Sequence, residues 1–286
     1  MAKCNVCFRG CEIEEGKTGF CGARKCENGI IKADNYGMLT ALALDPIEKK
    51  PLSMYYPGSA VVSVGSYGCN LRCPFCQNSD ISWSDYALNC REQTNYLAPE
   101  ELVEIALNHR RKGNIGIAFT YNEPLIGYEY VRDTAKLAHD AGLKNVLVTN
   151  GTASLAVLEE LKPYINAMNI DLKGFTDRYY SEVLKGSRGM VMDFIAEAAK
   201  FCHVELTTLI VPGENDSEDE IRELSAWVAG LKDVYDGKTG KDIPLHITRF
   251  FPRFHMQDRN ATDVSLIYRL VDVARENLDY VFHGNC

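Results

Sequence analysis

Three cysteines follow the spacing Cys-x3-Cys-x2-Cys, at Cys69, Cys73 and Cys76. A cubane iron–sulfur cluster normally takes four cysteine thiolates. The next cysteine, Cys90, follows fourteen residues later and has no motif around it. Three protein ligands would leave one iron with an open coordination position, as a catalytic metal keeps a position for its substrate. The spacing therefore predicts a cluster that binds a small molecule and passes an electron into it.

Two other interpretations of these cysteines are a structural zinc site and buried free thiols. Zinc sites usually present paired Cys-x2-Cys or Cys/His units with four ligands in total. The three-cysteine group has no fourth partner nearby. This favours the catalytic cluster.

A second group of cysteines lies at the amino terminus: Cys4, Cys7, Cys11, Cys21 and Cys26. Residues 1–37 are poor in aliphatic side chains, so we expect a small module that depends on bound metal for its order. Zinc would act as a structural clip, whereas a second iron–sulfur cluster would relay electrons. Reduced thiols in a surface loop are the third interpretation. The close spacing of the cysteines favours a metal site over free thiols, and the sequence does not decide between zinc and iron–sulfur.

Composition limits the class of protein. The chain has 286 residues, 46% of them hydrophobic, and a formal net charge of −8 at pH 7. The acidic balance argues against a broad nucleic-acid interface. No apolar run approaches the roughly 20 residues of a membrane span, and the start has no apolar signal region. Eleven cysteines, an odd number, do not suit a closed disulfide framework. We therefore expect a reduced, soluble protein of the cytoplasm.

Short β-branched runs alternate with helical patterns after residue 38, which predicts parallel βαβ units. Six units are too few for an eight-stranded barrel, so residues 38–286 are expected to form a partial (β/α)6-type parallel barrel, with the cysteine-rich residues 1–37 as an extension. Polar residues at the carboxyl ends of the strands should carry the chemistry. The expected strands are Val61–Val64, Ile115–Thr120, Asn145–Thr149, Ala167–Asp171, His203–Leu209 and Leu245–Thr248.

Helices are expected between these strands. They run from Pro99 to Gly113, Tyr128 to Ala141, Met190 to Phe201, Ser217 to Leu231 and Asp263 to Asn277. Ser217 and Glu220 have the spacing of a capping box. Residues 39–56 are interpreted as a connecting segment, and the apolar residues 280–282 as a candidate last strand.

Six ordered motifs extend the pattern: residues 45–52 (DPIEKKPL), 68–73 (GCNLRC), 76–78 (CQN), 120–124 (TYNEP), 149–151 (TNG) and 171–173 (DLK). With these motifs the chain resembles the radical S-adenosylmethionine (SAM) superfamily. The similarity is to the branch related to pyruvate formate-lyase activating enzymes, and most closely to the AmmeMemoRadiSam system radical SAM proteins. The resemblance implies an oxygen-sensitive [4Fe–4S] enzyme that reductively cleaves SAM to methionine and a 5′-deoxyadenosyl radical, which abstracts hydrogen from a substrate. In the amino-terminal group, Cys4, Cys7, Cys11 and Cys21 match the family pattern.

The resemblance also implies which residues contact SAM. Asn122 and Glu123 suit its amino group, and Asn150 and Asp171 its ribose or amino-acid atoms. Lys173 suits its carboxylate. Each has a structural alternative: Asn150 in a turn with the glycine after it, Asp171 and Lys173 as a local ion pair, and Glu123 as a solvated loop residue.

Five further residues complete the expectations. Phe75 resembles the family residue that packs beside the adenine, and His255 lies where a family histidine approaches the cofactor. Cys286 is a candidate hydrogen donor or cluster ligand, since residues 280–282 would bring it to the barrel mouth. Cys90 and Cys202 are expected to be buried as small hydrophobic residues.

Three functions follow. The first is a radical SAM enzyme of unidentified substrate, with an electron donor such as flavodoxin or ferredoxin and either a small molecule or a protein as substrate. The second is an activase that places a glycyl radical on a partner enzyme, an inference at the level of the fold. The third is a non-catalytic iron–sulfur carrier or scaffold. The missing fourth ligand and the separate cofactor motifs argue against the third.

Overall fold

The computed structural model describes residues 1–89, Arg91 and 94–286; the expectation for Cys90 falls outside these residues. The amino-terminal part forms two small antiparallel pairs. Strand β1 (Ala2–Lys3) pairs with β2 (Glu12–Ile13), and β3 (Arg24–Glu27) pairs with β4 (Ile30–Ala33). Such short pairs bury little apolar surface. The domain boundary after residue 37 stays a prediction.

A nine-stranded sheet forms the body of the protein. Its strands are β5 (Met38–Pro46), β6 (Ala60–Ser66), β7 (Asn95–Tyr96), β8 (Asn114–Phe119), β9 (Lys144–Thr149), β10 (Ala167–Asp171), β11 (His203–Ile210), β12 (Leu245–Arg249) and β13 (Val281–Gly284). β6 and β8 to β13 run parallel to one another. β5 and β7 extend the sheet antiparallel beyond β6, so that its described order runs from β13 at one edge to β7 at the other. The predicted partial parallel barrel is confirmed.

All six expected strands are present, and the apolar segment near the carboxyl terminus adds β13 as a seventh parallel strand. The interpretation of residues 39–56 as a connection was wrong in its first part, because β5 pairs antiparallel with β6. Exposure along β5 does not alternate cleanly between its two faces. The sequence therefore carries no period-two signal at this edge of the sheet.

Helices connect the strands: α1 (Ser79–Ser82), α2 (Asp85–Asn89), α3 (Pro99–Asn108), α4 (Tyr128–Asp140), α5 (Leu155–Leu161), α6 (Arg188–Ala198), α7 (Glu218–Ala229) and α8 (Val264–Arg275), with a π-helix at Tyr179–Leu184. The Ser217 side chain caps α7 by accepting the Glu220 backbone N–H at 3.1 Å. The capping box is only half formed, because the Glu220 carboxylate accepts the backbone N–H of Phe175 instead. The backbone of Phe175, from a distant segment, thus takes the place of the Ser217 backbone as the partner of Glu220.

Residues 47–54, which we call the plug segment, enter the barrel from the amino-terminal ends of the strands. Ile47 and Leu52 are fully buried in it. Burying a side chain of this size stabilises the fold by about 1.5–3 kcal/mol. They pack against strand residues that face the barrel interior: Val61, Ala118, Val146 and Ala167.

A buried carboxylate on β11 holds the plug segment in place. Glu205 accepts the backbone N–H groups of Ser53 at 2.9 Å and Met54 at 2.8 Å. The rings of His203 and His246 lie at 2.9 and 2.7 Å from the same carboxylate. Although burial acts in the opposite direction, the hydrogen bonds from the two histidines lower the pKa of Glu205 to about 2. The carboxylate is therefore ionised at neutral pH and keeps all four partners.

Candidate active site

A cavity of about 400 Å³ lies at the carboxyl ends of the parallel strands. Residues that follow β6, β8, β9 and β10 form most of its wall, because the carboxyl ends of parallel strands meet at one edge of a sheet. Its lining includes Cys69, Cys73, Phe75, Cys76, Asn122, Glu123, Asn150, Asp171 and Lys173. The structure thus brings together residues that the sequence assigned to the cluster and to the cofactor.

The loop after β6 carries Cys69, Cys73 and Cys76, and we call it the cysteine loop. All three cysteines line this cavity. The backbone N–H of Leu71 donates to the Cys69 Sγ at 3.4 Å. Burial raises the pKa of Cys73 to about 12, and burial together with the Glu123 carboxylate raises the pKa of Cys69. Both groups are protonated thiols at neutral pH until a metal binds, so cluster assembly must release their protons.

The donor set fits a cubane cluster with one open iron. Three thiols line the cavity, and none of the other cysteines in residues 1–89 and 94–286 does so. The rest of the wall offers carboxylate, amide and ammonium groups, which suit a small polar ligand. As they stand, no three His, Cys, Asp or Glu side chains of the described chain are arranged to hold a metal ion. Metal binding by the cysteines stays a prediction.

Glu123 is a buried carboxylate in the cavity wall, 3% exposed. Its Oε1 accepts the Leu125 N–H at 3.0 Å and the Thr149 hydroxyl at 2.7 Å, and its Oε2 accepts the Asn150 N–H at 2.8 Å. Burial raises the pKa of Glu123 to about 7, although the three hydrogen bonds act to lower it. The alternative of a solvated loop residue was wrong, and the carboxylate titrates near neutral pH.

Asn122 holds the start of the cysteine loop. Its Oδ1 accepts the Ser66 N–H at 3.0 Å, and its Nδ2 donates to the carbonyl groups of Tyr67 at 3.2 Å and Gly68 at 3.1 Å. The amide group is thus occupied by backbone partners. These contacts favour a positioning role for Asn122 over direct contact with a cofactor.

Asn150 joins a network of buried amide and hydroxyl groups beside the cysteine loop. Its Nδ2 donates to Asn70 Oδ1 at 2.9 Å and lies 3.9 Å from Cys69 Sγ, while its Oδ1 accepts the Thr152 hydroxyl at 2.6 Å. Gly151, with φ of +66°, forms the turn that was the structural alternative. The turn and the site role occur together, because the turn directs Asn150 towards the sulfur.

Asp171 and Lys173 form an ion pair in the cavity wall, with 2.7 Å between Oδ2 and Nζ. Burial acts to lower the pKa of Lys173, but the charge and the hydrogen bond of Asp171 raise it above its usual value. Lys173 is therefore cationic at neutral pH. The local ion pair foreseen as an alternative is present, and a contact with the cofactor stays a prediction.

Phe75, His255 and Cys286 differ in their placement. Phe75 is 5% exposed and meets Phe250 edge to face at 6.4 Å. His255 contacts the cysteine loop through its backbone N–H, which donates to the Pro74 carbonyl at 2.8 Å, and its side chain does not line the cavity. Cys286 is exposed and outside the cavity wall. The expected burial of Cys202 is confirmed, since it is 2% exposed.

Sequence reasoning gave no role to several residues of the cavity wall, including Lys49, Lys50 and Tyr121. Residues 45–52 were counted as a matching motif without a role for any side chain. No local signal shows that a segment between two strands turns into the barrel. Only the packing of the plug segment reveals that its lysines reach the cavity.

The amino-terminal cysteines converge on a second and much smaller space of about 10 Å³, lined by Cys4, Cys7, Cys11 and Cys21. Cys26 is buried outside it. Burial raises the pKa of Cys21 to about 11. The four matching cysteines thus line one small space, and both metal binding there and the identity of the metal stay predictions.

This amino-terminal group packs directly on the cysteine loop. The backbone N–H of Cys69 donates to the Cys21 carbonyl at 3.2 Å. Arg9 donates from Nε to the Asn70 carbonyl at 2.9 Å, and its guanidinium lies 3.3 Å from the centre of the Phe20 ring. The amino-terminal fold therefore helps to set the conformation of the cysteine loop.

Gly68 makes this close contact possible. It has φ of +95°, and a Cβ there would lie 2.7 Å from the Ala23 Cβ and 2.9 Å from the Cys21 carbonyl oxygen. We expect Gly68→Ala to lower the free energy of unfolding by about 2–5 kcal/mol, of which backbone strain supplies about 1–2 kcal/mol and overpacking about 1–3 kcal/mol. Gly213→Ala is the matched control, because its φ is +79° with no atom within 4 Å of the added Cβ. If urea denaturation showed the same loss of unfolding free energy in both variants, the close contact at Gly68 would contribute nothing to stability.

The family model of the radical SAM superfamily matches residues 63–225. That range holds the cysteine loop and the strand-end residues of the cavity. The chain belongs to the radical SAM superfamily. Membership implies a [4Fe–4S] cluster and SAM as cofactors and makes the chain a radical SAM enzyme, with its reaction unspecified.

Relatives of this radical SAM enzyme include activating enzymes. It is 38% identical to the uncharacterized protein MJ0808 of Methanocaldococcus jannaschii, over 99% of this chain and 81% of that protein. It is 28% identical to the pyruvate formate-lyase-activating enzyme of Clostridium pasteurianum, over 58% of this chain and 68% of that enzyme.

Solved structures support the fold. A crystal structure of Streptococcus suis SuiB bound to SAM matches with a TM-score of 0.58 and 12% identity, over 79% of this chain and 52% of SuiB. The radical SAM chain thus spans about half the length of that protein, and the likeness concerns the fold alone. No helix in residues 1–89 and 94–286 is long and apolar enough to cross a bilayer.

Proposed function

We propose that this radical SAM enzyme holds a [4Fe–4S] cluster on Cys69, Cys73 and Cys76, cleaves SAM reductively and removes hydrogen from an organic substrate. The observation that carries the proposal is the convergence of three thiols, with no fourth among the described residues, on a cavity walled by strand-end polar groups. When bound there, the cluster supplies one electron to SAM, which splits to methionine and a 5′-deoxyadenosyl radical. We place the enzyme in the cytoplasm, where a donor such as flavodoxin or ferredoxin supplies the electron.

The chain's own residues bind and orient the cofactor in this proposal. Glu123 accepts a hydrogen bond from the amino group of SAM, and Lys173 pairs with its carboxylate. Asp171 keeps Lys173 charged and aimed at the cavity. Asn122 and Asn150 fix the cysteine loop, and Phe75 offers an apolar surface to the adenine.

The test is cofactor cleavage by the full chain. Protein reconstituted anaerobically with iron and sulfide, reduced with dithionite and given SAM, is expected to release 5′-deoxyadenosine and methionine in equal amounts. Omission of dithionite is the control for spontaneous breakdown. A fully reconstituted protein that releases neither product would favour the non-catalytic carrier.

A second candidate function is the activation of a glycyl-radical enzyme. Its support is the similarity to a pyruvate formate-lyase-activating enzyme over 58% of the chain. The cysteine-rich amino-terminal part departs from the usual activase layout. A glycyl-radical signal in the electron paramagnetic resonance spectrum of a candidate partner would establish this function. A partner that stays without the signal while 5′-deoxyadenosine forms would exclude it for that partner.

The amino-terminal site is proposed as a second metal site, with Cys4, Cys7, Cys11 and Cys21 as ligands of zinc or of an auxiliary cluster. We expect Cys7→Ala to lose this metal and mainly to destabilise the protein, because bound metal contributes folding free energy. Cys26→Ala is the matched control, since Cys26 is buried outside the shared site. Iron and zinc analysis of both variants, with thermal unfolding, checks this. A Cys7→Ala variant with unchanged metal content and stability would contradict it.

A further inference from the structure

We propose that Lys50, with Lys49 beside it, binds an anionic group of the substrate. The substrate then carries a carboxylate or a phosphate. The inference rests on the proposed function in one respect, namely that the substrate shares the cavity with the cofactor.

Lys50 is a buried cation whose charge is only partly matched. Its side chain is 3% exposed and lines the cavity. Nζ lies 2.9 Å from Asp45 Oδ2 and 4.7 Å from the centre of the Tyr121 ring. An ammonium group has three N–H donors, and among the described residues only Asp45 accepts one. Buried charges need full hydrogen bonding, so two donors are available for the oxygen atoms of a ligand.

Charges along the cavity favour an anion at this position. The basic residues of the lining are Lys49, Lys50 and Lys173, and the acidic ones are Glu123 and Asp171. Asp171 is already paired with Lys173, the residue proposed for the carboxylate of SAM. Asp45 serves both other lysines, since Lys49 Nζ lies 3.8 Å from its second oxygen. Two cations thus share one carboxylate, which leaves one positive charge for a ligand.

The structure also holds this cation rigidly. The Tyr121 hydroxyl donates to Asp45 Oδ2 at 2.7 Å, and the Asn169 side chain donates to the Pro51 carbonyl at 2.8 Å. Gly65 leaves room for Tyr121, because a Cβ at that position would lie 2.9 Å from the Tyr121 Cβ. Glu205 fixes the rest of the plug segment. A preorganised cation loses little conformational entropy on binding, which suits a recognition group.

Equilibrium binding of two small anions tests the inference. Reconstituted full-length protein with SAM is titrated calorimetrically with inorganic phosphate and, in a separate arm, with malonate, with sodium chloride used to hold the ionic strength constant. We expect saturable one-to-one binding in at least one arm. Binding of phosphate alone indicates a phosphorylated substrate, and binding of malonate alone a carboxylate. The Lys50→Met/Asp45→Asn double variant removes both charges of the buried pair, so that no unpaired carboxylate is left inside.

We expect this double variant to weaken anion binding at least about tenfold, or 1.4 kcal/mol. Lys49→Met, which changes a side chain 69% exposed, is expected to weaken it less, by up to about fivefold. Lys136→Met, an exposed lysine on α4, is the control and keeps wild-type affinity. Absence of saturable binding in both arms, or unchanged affinity in the variants, would overturn the inference. So would a double variant that loses SAM affinity tenfold and keeps anion binding, because Lys50 would then serve the cofactor. Wild-type protein that cleaves SAM but binds neither anion would refute this inference and leave the proposed function standing.

Discussion

Replacing Cys73 by alanine is expected to abolish SAM cleavage, to less than about one-hundredth of the wild-type rate. Two thiols cannot hold a cubane that needs three protein ligands beside its cofactor. Removal of a residue that only hydrogen-bonds a metal ligand lowers metal affinity or activity about 10–100-fold. Removal of a ligand itself should therefore lower the cleavage rate more. The 5′-deoxyadenosine released under dithionite gives the rate, and bound iron and the cluster absorbance show whether the cluster assembled.

Cys202→Ala is the matched control for this prediction. Cys202 is also buried, at 2% exposure, but its thiol donates to the Ala198 carbonyl at 3.5 Å and lies outside the cavity. We expect this variant to keep its iron and its activity. A Cys73→Ala protein with a full complement of iron and wild-type cleavage would remove Cys73 from the ligand set.

The parallel strands and the residues after them were predictable from sequence, because both signals are local. A buried parallel strand reads as a short apolar run, and the polar residue that ends it is adjacent in the chain. Asp171, for example, is the last residue of β10, and Glu123 follows β8 after a short turn. The rule that parallel carboxyl ends share one edge then brings these residues together without further information.

Other parts of the site depend on contacts that no local pattern records. Lys50 reaches the cavity only because Ile47 and Leu52 anchor the plug segment inside the barrel. Likewise, the hydrogen bond between Cys69 and Cys21 joins residues far apart in the chain. His255 contacts the cysteine loop through its backbone, and a contact between its ring and the cofactor stays a prediction.

Glu123→Gln is expected to raise the dissociation constant for SAM about 10- to 150-fold. The carboxylate is proposed to accept a hydrogen bond from the amino group of SAM, and hydrogen bonds to charged groups contribute about 1.5–3 kcal/mol. A glutamine side chain keeps the size of Glu123 but replaces one acceptor oxygen by a donor amide. Equilibrium dialysis of SAM against reconstituted, unreduced protein measures the constant without turnover.

The pH dependence of SAM binding separates the effect of the Glu123 charge from the effect of its shape. Because the pKa of Glu123 is about 7, the carboxylate form grows as pH rises from 6 to 8, and wild-type affinity for SAM should rise over this range and then level off. Glu123→Gln has no such group, so its own change with pH, subtracted from that of the wild type, isolates the contribution of Glu123. Stability follows the opposite sign: the native state binds this proton more tightly than the unfolded chain, so the protein without SAM loses stability as pH rises through about 7.

A second buried glutamate provides the control. Glu220 also accepts a backbone N–H, and burial raises its pKa, but it does not line the cavity. Glu220→Gln should change stability and leave SAM affinity and its pH dependence as in the wild type. If Glu123→Gln showed the same rise in affinity with pH as the wild type, Glu123 would not be the titrating group. The site would then owe its preference for SAM to the cysteine loop and to Asp171 and Lys173.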